Sequence, residues 1–158
     1  MSECEKTGFH PIGETQAGSG TLYAGVARSN LTTDDKTAVI NDPLYAKALV
    51  LDDGKTRIVL ITMDITAIGG REVGRGMLDD VGEDFLPRLR NRIEHELKIP
   101  GANVLVNASH THPAGRLLCD DDQQIERTFD AVKRAVRNML PVKLGVGVGY
   151  EDRIMVNR

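Results

Sequence analysis

The stretch DPLYAKALVLDDGKTRIVLITMDIT, residues 42–66, determines the fold class that the sequence predicts. Two apolar runs, at about 45–52 and 56–64, flank Asp53-Gly54, and an Asp-Gly pair between such runs is the strongest short-range signal for a β-hairpin. The second run is almost wholly apolar, which favours a strand covered on both faces of its sheet. At least one pair of strands is therefore expected to be antiparallel, which excludes a purely parallel sheet.

Strands and helices interleave around this hairpin. The apolar patterns predict further strands at 21–28, 103–108, 142–150 and, as a short edge strand, 151–156. Apolar residues at intervals of about four predict one helix between about 79 and 98, with Pro87 near its start, and a second from about Ile125 to Pro141. We expect an α/β fold, with a layered mixed β-sheet of about five to six strands, one hairpin and two main helices.

The composition bounds the domain organisation and the partners. A chain of 158 residues fits one domain, which we place at 21–158 after a polar, glycine-rich, flexible lead-in at 1–20. The formal net charge of −3 gives no reason to expect nucleic acid as a partner. No membrane span and no signal peptide are visible, so a cytoplasmic location is the default expectation. Cys4 and Cys119 are not spaced as a redox pair, and both are expected to be reduced thiols.

The segment NVLVNASHTHPAG, residues 103–115, carries the candidate chemistry. His110 and His112 follow a predicted strand, and ligand sites in open α/β sheets lie past the carboxyl ends of strands. If the strand continued to His112, both imidazoles would face one side. They could then share a metal ion, or one could bind the ion and the other the substrate. The alternative is a loop in which backbone carbonyls satisfy both rings.

Asp64 ends its predicted strand in the same way. If the two strands are neighbours, the carboxylate could join the histidines as a metal ligand or could orient one of them. The alternative for Asp64 is a helix cap or a hydrogen bond within a loop.

Three other motifs carry less chemistry. CDDDQQ at 119–124 lacks the glycine and glutamate of an EF-hand and is interpreted as the solvated start of a helix. GVGVG at 145–149 is not a nucleotide loop. GGREVGRG at 69–76 is a surface loop or a mobile lid.

Four segments, taken in order, resemble the amino-terminal portion of the neutral/alkaline non-lysosomal ceramidase family. They are AGVARSNLT (24–32), DPLYAKALVLDDGKTRIVLITMD (42–64), IPGANVLVNASHTH (99–112) and LGVGVGYEDRIMVNR (144–158). The similarity extends from about Tyr23 to Arg158. It is an ordered series of segments and not a single motif.

Members of that family are zinc amidohydrolases that cut the N-acyl bond of ceramide. The resemblance implies a zinc ligand at His110, a site role for His112 toward the substrate or intermediate, and a substrate-binding role for Arg158. It also implies a small-molecule or lipid amide as substrate. Such chemistry is coherent, because zinc activates water and polarises a carbonyl while an arginine stabilises the developing oxyanion. The chain departs from the family at Asn30, where the family has aspartate, and in the turn after His112.

Three functions stay open. The chain could be the amino-terminal half-site of an amidohydrolase, completed by a missing carboxy-terminal part of a larger unit. It could be a stand-alone enzyme of unknown activity with a reduced site of His110, His112 and Asp64, supplemented across a homo-oligomer. It could also be a non-catalytic binding or assembly domain, which would expose an apolar surface patch.

Overall fold

The computed structural model of the chain describes residues 20–68, 81–112 and 117–150, together with the backbone of His10–Pro11. Two compact units are present, one of residues 21–142 and one of residues 1–20 with 143–158. The candidate site belongs to the first unit. Most of the predicted lead-in, the glycine-rich loop at 69–76 and the predicted edge strand at 151–156 lie outside the described residues.

The first unit is built on a five-stranded mixed sheet. Its strands are β2 (Leu22–Asn30), β3 (Tyr45–Asp52), β4 (Arg57–Met63), β5 (Val104–Ala108) and β6 (Leu140–Val142), in the spatial order β5-β4-β3-β2-β6. β4 and β5 are parallel, and the other neighbouring pairs are antiparallel. The predicted layered α/β fold is confirmed. In the second unit, β1 (His10–Pro11) and β7 (Gly147–Val148) form a separate antiparallel pair.

The hairpin at the centre of the prediction joins β3 to β4, with Asp52 paired to Arg57. Gly54 adopts φ 85°, a left-handed conformation that glycine reaches without steric cost. The Oδ1 atom of Asp53 accepts hydrogen bonds from the backbone N–H groups of Lys55 and Thr56. The Oδ1 atom of Asp52 accepts from the backbone N–H of Gly54, so one glycine and two carboxylates close the turn.

Two helices form the second layer, α1 (Phe85–Leu97) and α2 (Asp121–Arg137). α1 begins six residues later than the predicted start near 79, so that Pro87 lies in its first turn, where a backbone N–H has no intrahelical acceptor. The side chain of Asp120 caps α2 by accepting from the backbone N–H of Gln123 at 2.8 Å, which confirms 119–124 as the start of a helix. α2 ends before Pro141, because Leu140–Val142 pairs with β2.

Both helices pack on one face of the sheet and share a single core with it. The fully buried side chains of that face come from alternate strand positions, and they include Ala46, Ala48, Val50, Val59, Ile61 and Met63. The helices contribute Phe85, Leu89, Ile93, Phe129 and Val132. The alternation of buried residues along β3 and β4 is what a sheet with one covered face requires.

The opposite sheet face, here called the outer face, carries an apolar row at its centre. Val26, Leu49, Leu60 and Leu105 lie opposite one another across β2, β3, β4 and β5. Val26 is 65% exposed and Leu105 is 57% exposed, while Leu49 and Leu60 are half-buried. The expectation that β4 is covered on both faces is therefore wrong within the described ranges, because its outward residues meet no second layer there.

The segment 142–150 also differs from its prediction as a continuous strand. Only Leu140–Val142 and Gly147–Val148 are strands, and glycines at 145, 147 and 149 weaken strand formation between and after them. Searched over its described residues, the chain contains no helix that is long and apolar enough to cross a membrane.

Candidate metal centre

The parallel pairing of β4 and β5 determines where the candidate residues lie. Met63 is opposite Ala108, and the backbone N–H of Ser109 donates to the carbonyl oxygen of Met63 at 2.9 Å. The residues that follow Met63 and those that follow Ala108 therefore leave the sheet at the same edge. The sequence predicted that Asp64 and the histidines would lie together only if these two strands were neighbours, and they are.

His110 is held by its backbone conformation and by one ring nitrogen. Its φ is 63°, a left-handed value that is uncommon for a residue with a side chain. Its Nδ1 atom lies 2.7 Å from the carbonyl oxygen of Thr66. Since a carbonyl can only accept, Nδ1 donates, and in the neutral ring Nε2 then carries the lone pair. Histidines that bind metals use this arrangement, with one nitrogen donating to a carbonyl and the other facing the ion.

The rings of His110 and His112 lie edge to face, with their Nε2 atoms within hydrogen-bonding distance of each other. These atoms are 3.4 Å apart, and the ring planes meet at 84° with centroids 4.8 Å apart. Two nitrogens that bind one tetrahedral zinc ion at about 2.0–2.1 Å are separated by about 3.4 Å. The spacing of the rings therefore fits one edge of a tetrahedral coordination sphere. Both side chains are exposed, so an ion could reach them from solvent.

The two rings come together in a different way from the predicted one, in which the strand continued to His112. β5 ends at Ala108, so strand alternation does not extend to His112. The left-handed turn at His110 instead brings the rings together within a loop.

Asp64 lies at the same edge but is directed toward β3. Its Oδ2 atom accepts from the backbone N–H of Tyr45 at 3.1 Å, and its Oδ1 atom accepts from the Nζ atom of Lys47 at 3.1 Å. These contacts tie the carboxylate to the neighbouring strand β3. Across the described residues, no group of three or more His, Cys, Asp or Glu side chains is placed to hold a metal ion. A ligand role for Asp64 stays a prediction, and Arg158 lies outside the described residues.

Thr66 is the residue of this site that the sequence did not reveal. Its carbonyl oxygen binds His110, and its Oγ1 atom donates to the carbonyl oxygen of Thr111 at 3.0 Å. Thr66 is 3% exposed, in contrast with the exposed histidine loop. No sequence signal marks it beyond its position shortly after Asp64 at the end of the same strand.

Comparison with known proteins agrees with this architecture. No protein-family model matches the sequence, and no curated protein sequence matches it. Among solved structures, neutral ceramidase from Pseudomonas aeruginosa aligns with 78% of this chain and 23% of its own, with 19% identity and a TM-score of 0.51. The chain has a ceramidase-like fold. A structure described as ceramidase complexed with C2 aligns with 78% of this chain and 22% of its own, with 18% identity and a TM-score of 0.49.

The ceramidase-like fold confirms the resemblance deduced from the ordered segments at the level of strand and helix arrangement. The chain spans less than a quarter of the length of the two ceramidases that it matches.

Proposed function

We propose that this chain supplies two histidines to the zinc centre of an amidohydrolase that acts on N-acyl amides. The observation that carries the proposal is the 3.4 Å spacing of the Nε2 atoms of His110 and His112. The hydrogen bond between His110 Nδ1 and the carbonyl of Thr66 supports it, because a neutral ring that donates through Nδ1 presents a lone pair on Nε2, which is what a metal ion binds. The ceramidase-like fold supports the choice of reaction class.

The two histidines of the loop have the same part in this proposal. In it, His110 and His112 both bind the ion through their Nε2 atoms. Zinc, when bound, supplies an electrophile that activates water near neutral pH and polarises an amide carbonyl. A catalytic zinc uses three protein ligands and an open position. The missing ligands would come from a larger unit of which this chain is a part.

Arg158 is proposed to bind the acyl-amide side of the substrate, as its match to the Asn-Arg of the ceramidase family implies. A guanidinium can stabilise the charge that develops on an amide oxygen. We expect Arg158→Ala to weaken binding of a carboxylate or acyl-amide ligand while the zinc affinity stays close to that of the wild type. Equal loss of both would assign Arg158 a structural role.

X-ray absorption at the zinc edge tests the donor set directly. Zinc-loaded wild-type protein is expected to show two imidazole nitrogens at about 2.0–2.1 Å. His110→Ala and His112→Ala should each remove imidazole scattering from the spectrum. Spectra that stay unchanged in both variants would contradict the proposal.

A second candidate is an assembly domain without catalysis, and the outer face favours it. Its central row of Val26, Leu49, Leu60 and Leu105 continues into a second apolar row of Leu140, Ala24, Leu51 and Ile58. These two rows are apolar, whereas the next outward row, of Arg28, Lys47, Thr62 and Asn107, is polar. The outer face as a whole, apolar and polar rows together, measures on the order of 600 Å². Two such faces would bury on the order of 1,200 Å², the lower limit for stable interfaces. The occupant proposed is therefore the same face of a second copy.

Light scattering at rising protein concentration tests the assembly candidate. A dimer that Leu105→Asp abolishes and Val39→Asp preserves would support it, since Val39 is exposed outside the strands. A chain that stays monomeric, or a dimer that survives Leu105→Asp, would contradict it.

A further inference from the structure

We infer that Thr66 is a positioning residue that sets the spacing of the His110 and His112 rings. The inference deepens the proposed metal role of these histidines and rests on it for its purpose. Its main test needs no metal, so that the two proposals can fail separately.

Thr66 holds the histidine loop at two points. Its carbonyl oxygen accepts from Nδ1 of His110 at 2.7 Å, and its hydroxyl donates to the carbonyl of Thr111 at 3.0 Å. The first contact orients the His110 ring. The second fixes the peptide between the two histidines, and the orientation of that peptide determines the direction in which the His112 side chain leaves the backbone.

The loop requires such an anchor. His110 and His112 are exposed and lie beyond the last paired residue of β5, and His110 has a left-handed φ of 63°. A conformation of this kind persists when the surrounding contacts over-determine it. The preceding tie to the sheet is the hydrogen bond from the N–H of Ser109 to Met63. Beyond that point, Thr66 contacts the loop at both residue 110 and residue 111.

Thr66 is itself held in place by the core and the sheet, so it can hold the histidine loop. It is 3% exposed, and Ile65 before it is fully buried in the core. Asp64 is bonded to β3 through the backbone of Tyr45 and the amine of Lys47. Thr66 therefore fixes the position of the histidine loop relative to the edge of the sheet.

Three variants isolate the hydroxyl. Thr66→Val keeps the shape and the backbone carbonyl but removes the hydroxyl, and Thr66→Ser restores it. Thr62→Val is the matched control, since the hydroxyl of Thr62 donates to the Oδ1 atom of Asn107 at 3.1 Å between β4 and β5, before the histidine loop begins.

The first measurement is NMR of the metal-free protein at pH 8. In the wild type we expect nuclear Overhauser contacts between the two rings and ¹⁵N shifts of His110 that show the proton on Nδ1. Thr66→Ser and Thr62→Val should keep both signals, whereas Thr66→Val should lose the ring contacts. Ring contacts that are unchanged in Thr66→Val would overturn the inference.

The second measurement is zinc affinity by competition with a chromophoric chelator. Residues that orient metal ligands typically change affinity by about 10–100-fold, so Thr66→Val should weaken binding by about 10-fold or more. Thr66→Ser and Thr62→Val should stay within about threefold of the wild type. Equal affinities for Thr66→Val and Thr62→Val would count against the positioning role. If the wild type itself binds no zinc although the ring contacts respond as expected, the proposed function fails and the positioning role of Thr66 stands.

If Thr66→Val does not fold, exchange of the Thr66 hydroxyl proton in the wild-type protein tests the inference. A Thr66 hydroxyl proton that is protected from exchange and coupled to the residue 111 carbonyl supports the inference. A hydroxyl proton that exchanges at the rate of an exposed threonine overturns it.

Discussion

A Cβ atom on Gly25 would lie 1.9 Å from the carbonyl oxygen of Ala135, so β2 and α2 meet where the strand has no side chain. We expect Gly25→Ala to lower the free energy of unfolding by about 3 kcal/mol or more, because the helix must shift to admit the methyl group. Urea denaturation measures the change. Gly145→Ala is the control, since nothing lies within 4 Å of that position, and it should change stability by about 0.5 kcal/mol at most. Equal losses in the two variants would contradict the close approach.

Asp52 makes the stability of the β3–β4 hairpin depend on pH. The backbone N–H of Gly54 and then the side chain of Arg57 lower the pKa of Asp52 from its ordinary value of 3.8. A lowered pKa in the folded state contributes stability above the ordinary pKa and loses it as pH falls through the folded value. Asp52→Asn should therefore cost about 1 kcal/mol at neutral pH and progressively less below about pH 4. A stability difference that is constant between neutral and acid pH would count against this.

Cys119 is expected to be an unreactive thiol. It is 4% exposed, and burial raises the pKa of its thiol from 9.0 to about 11. In a Cys4→Ser background, reaction with a thiol reagent at pH 8 should be at least ~100-fold slower in native protein than in urea. The raised pKa also means that its contribution to stability is lost as pH rises from about 9 toward 11. Native labelling as fast as in urea would contradict the buried environment.

The sequence predicted those parts of the fold whose causes are local. Asp53-Gly54 between two apolar runs requires a hairpin, and four-residue periodicity indicated both helices. The strand Leu140–Val142 was less predictable, because it is extended only through pairing with β2, over a hundred residues earlier in the chain. Sequence spacing cannot reveal such a partner.

The candidate site also has a part that the sequence predicted and a part that it did not. His110 and His112, two residues apart just past a strand end, were visible as a motif, whereas the sequence left open whether β4 and β5 are neighbours. The contact of Asp64 with Lys47 and that of Thr66 with Thr111 join segments that are 17 and 45 residues apart. The first depends on the register of the β3–β4 hairpin and the second on the path of the histidine loop, and no periodicity in the sequence encodes either.

A zinc titration is the most direct test of the proposal that His110 and His112 are zinc ligands, because it needs neither a substrate nor the remainder of a larger enzyme. A zinc titration should compare wild-type protein with His110→Ala, His112→Ala and the control His95→Ala, whose side chain is exposed on α1. Each loop variant should weaken zinc binding by about 10-fold or more, since loss of a ligand should at least match the cost of losing a residue that orients one. His95→Ala should bind like the wild type. Identical titration curves for all four proteins would contradict zinc binding by His110 and His112.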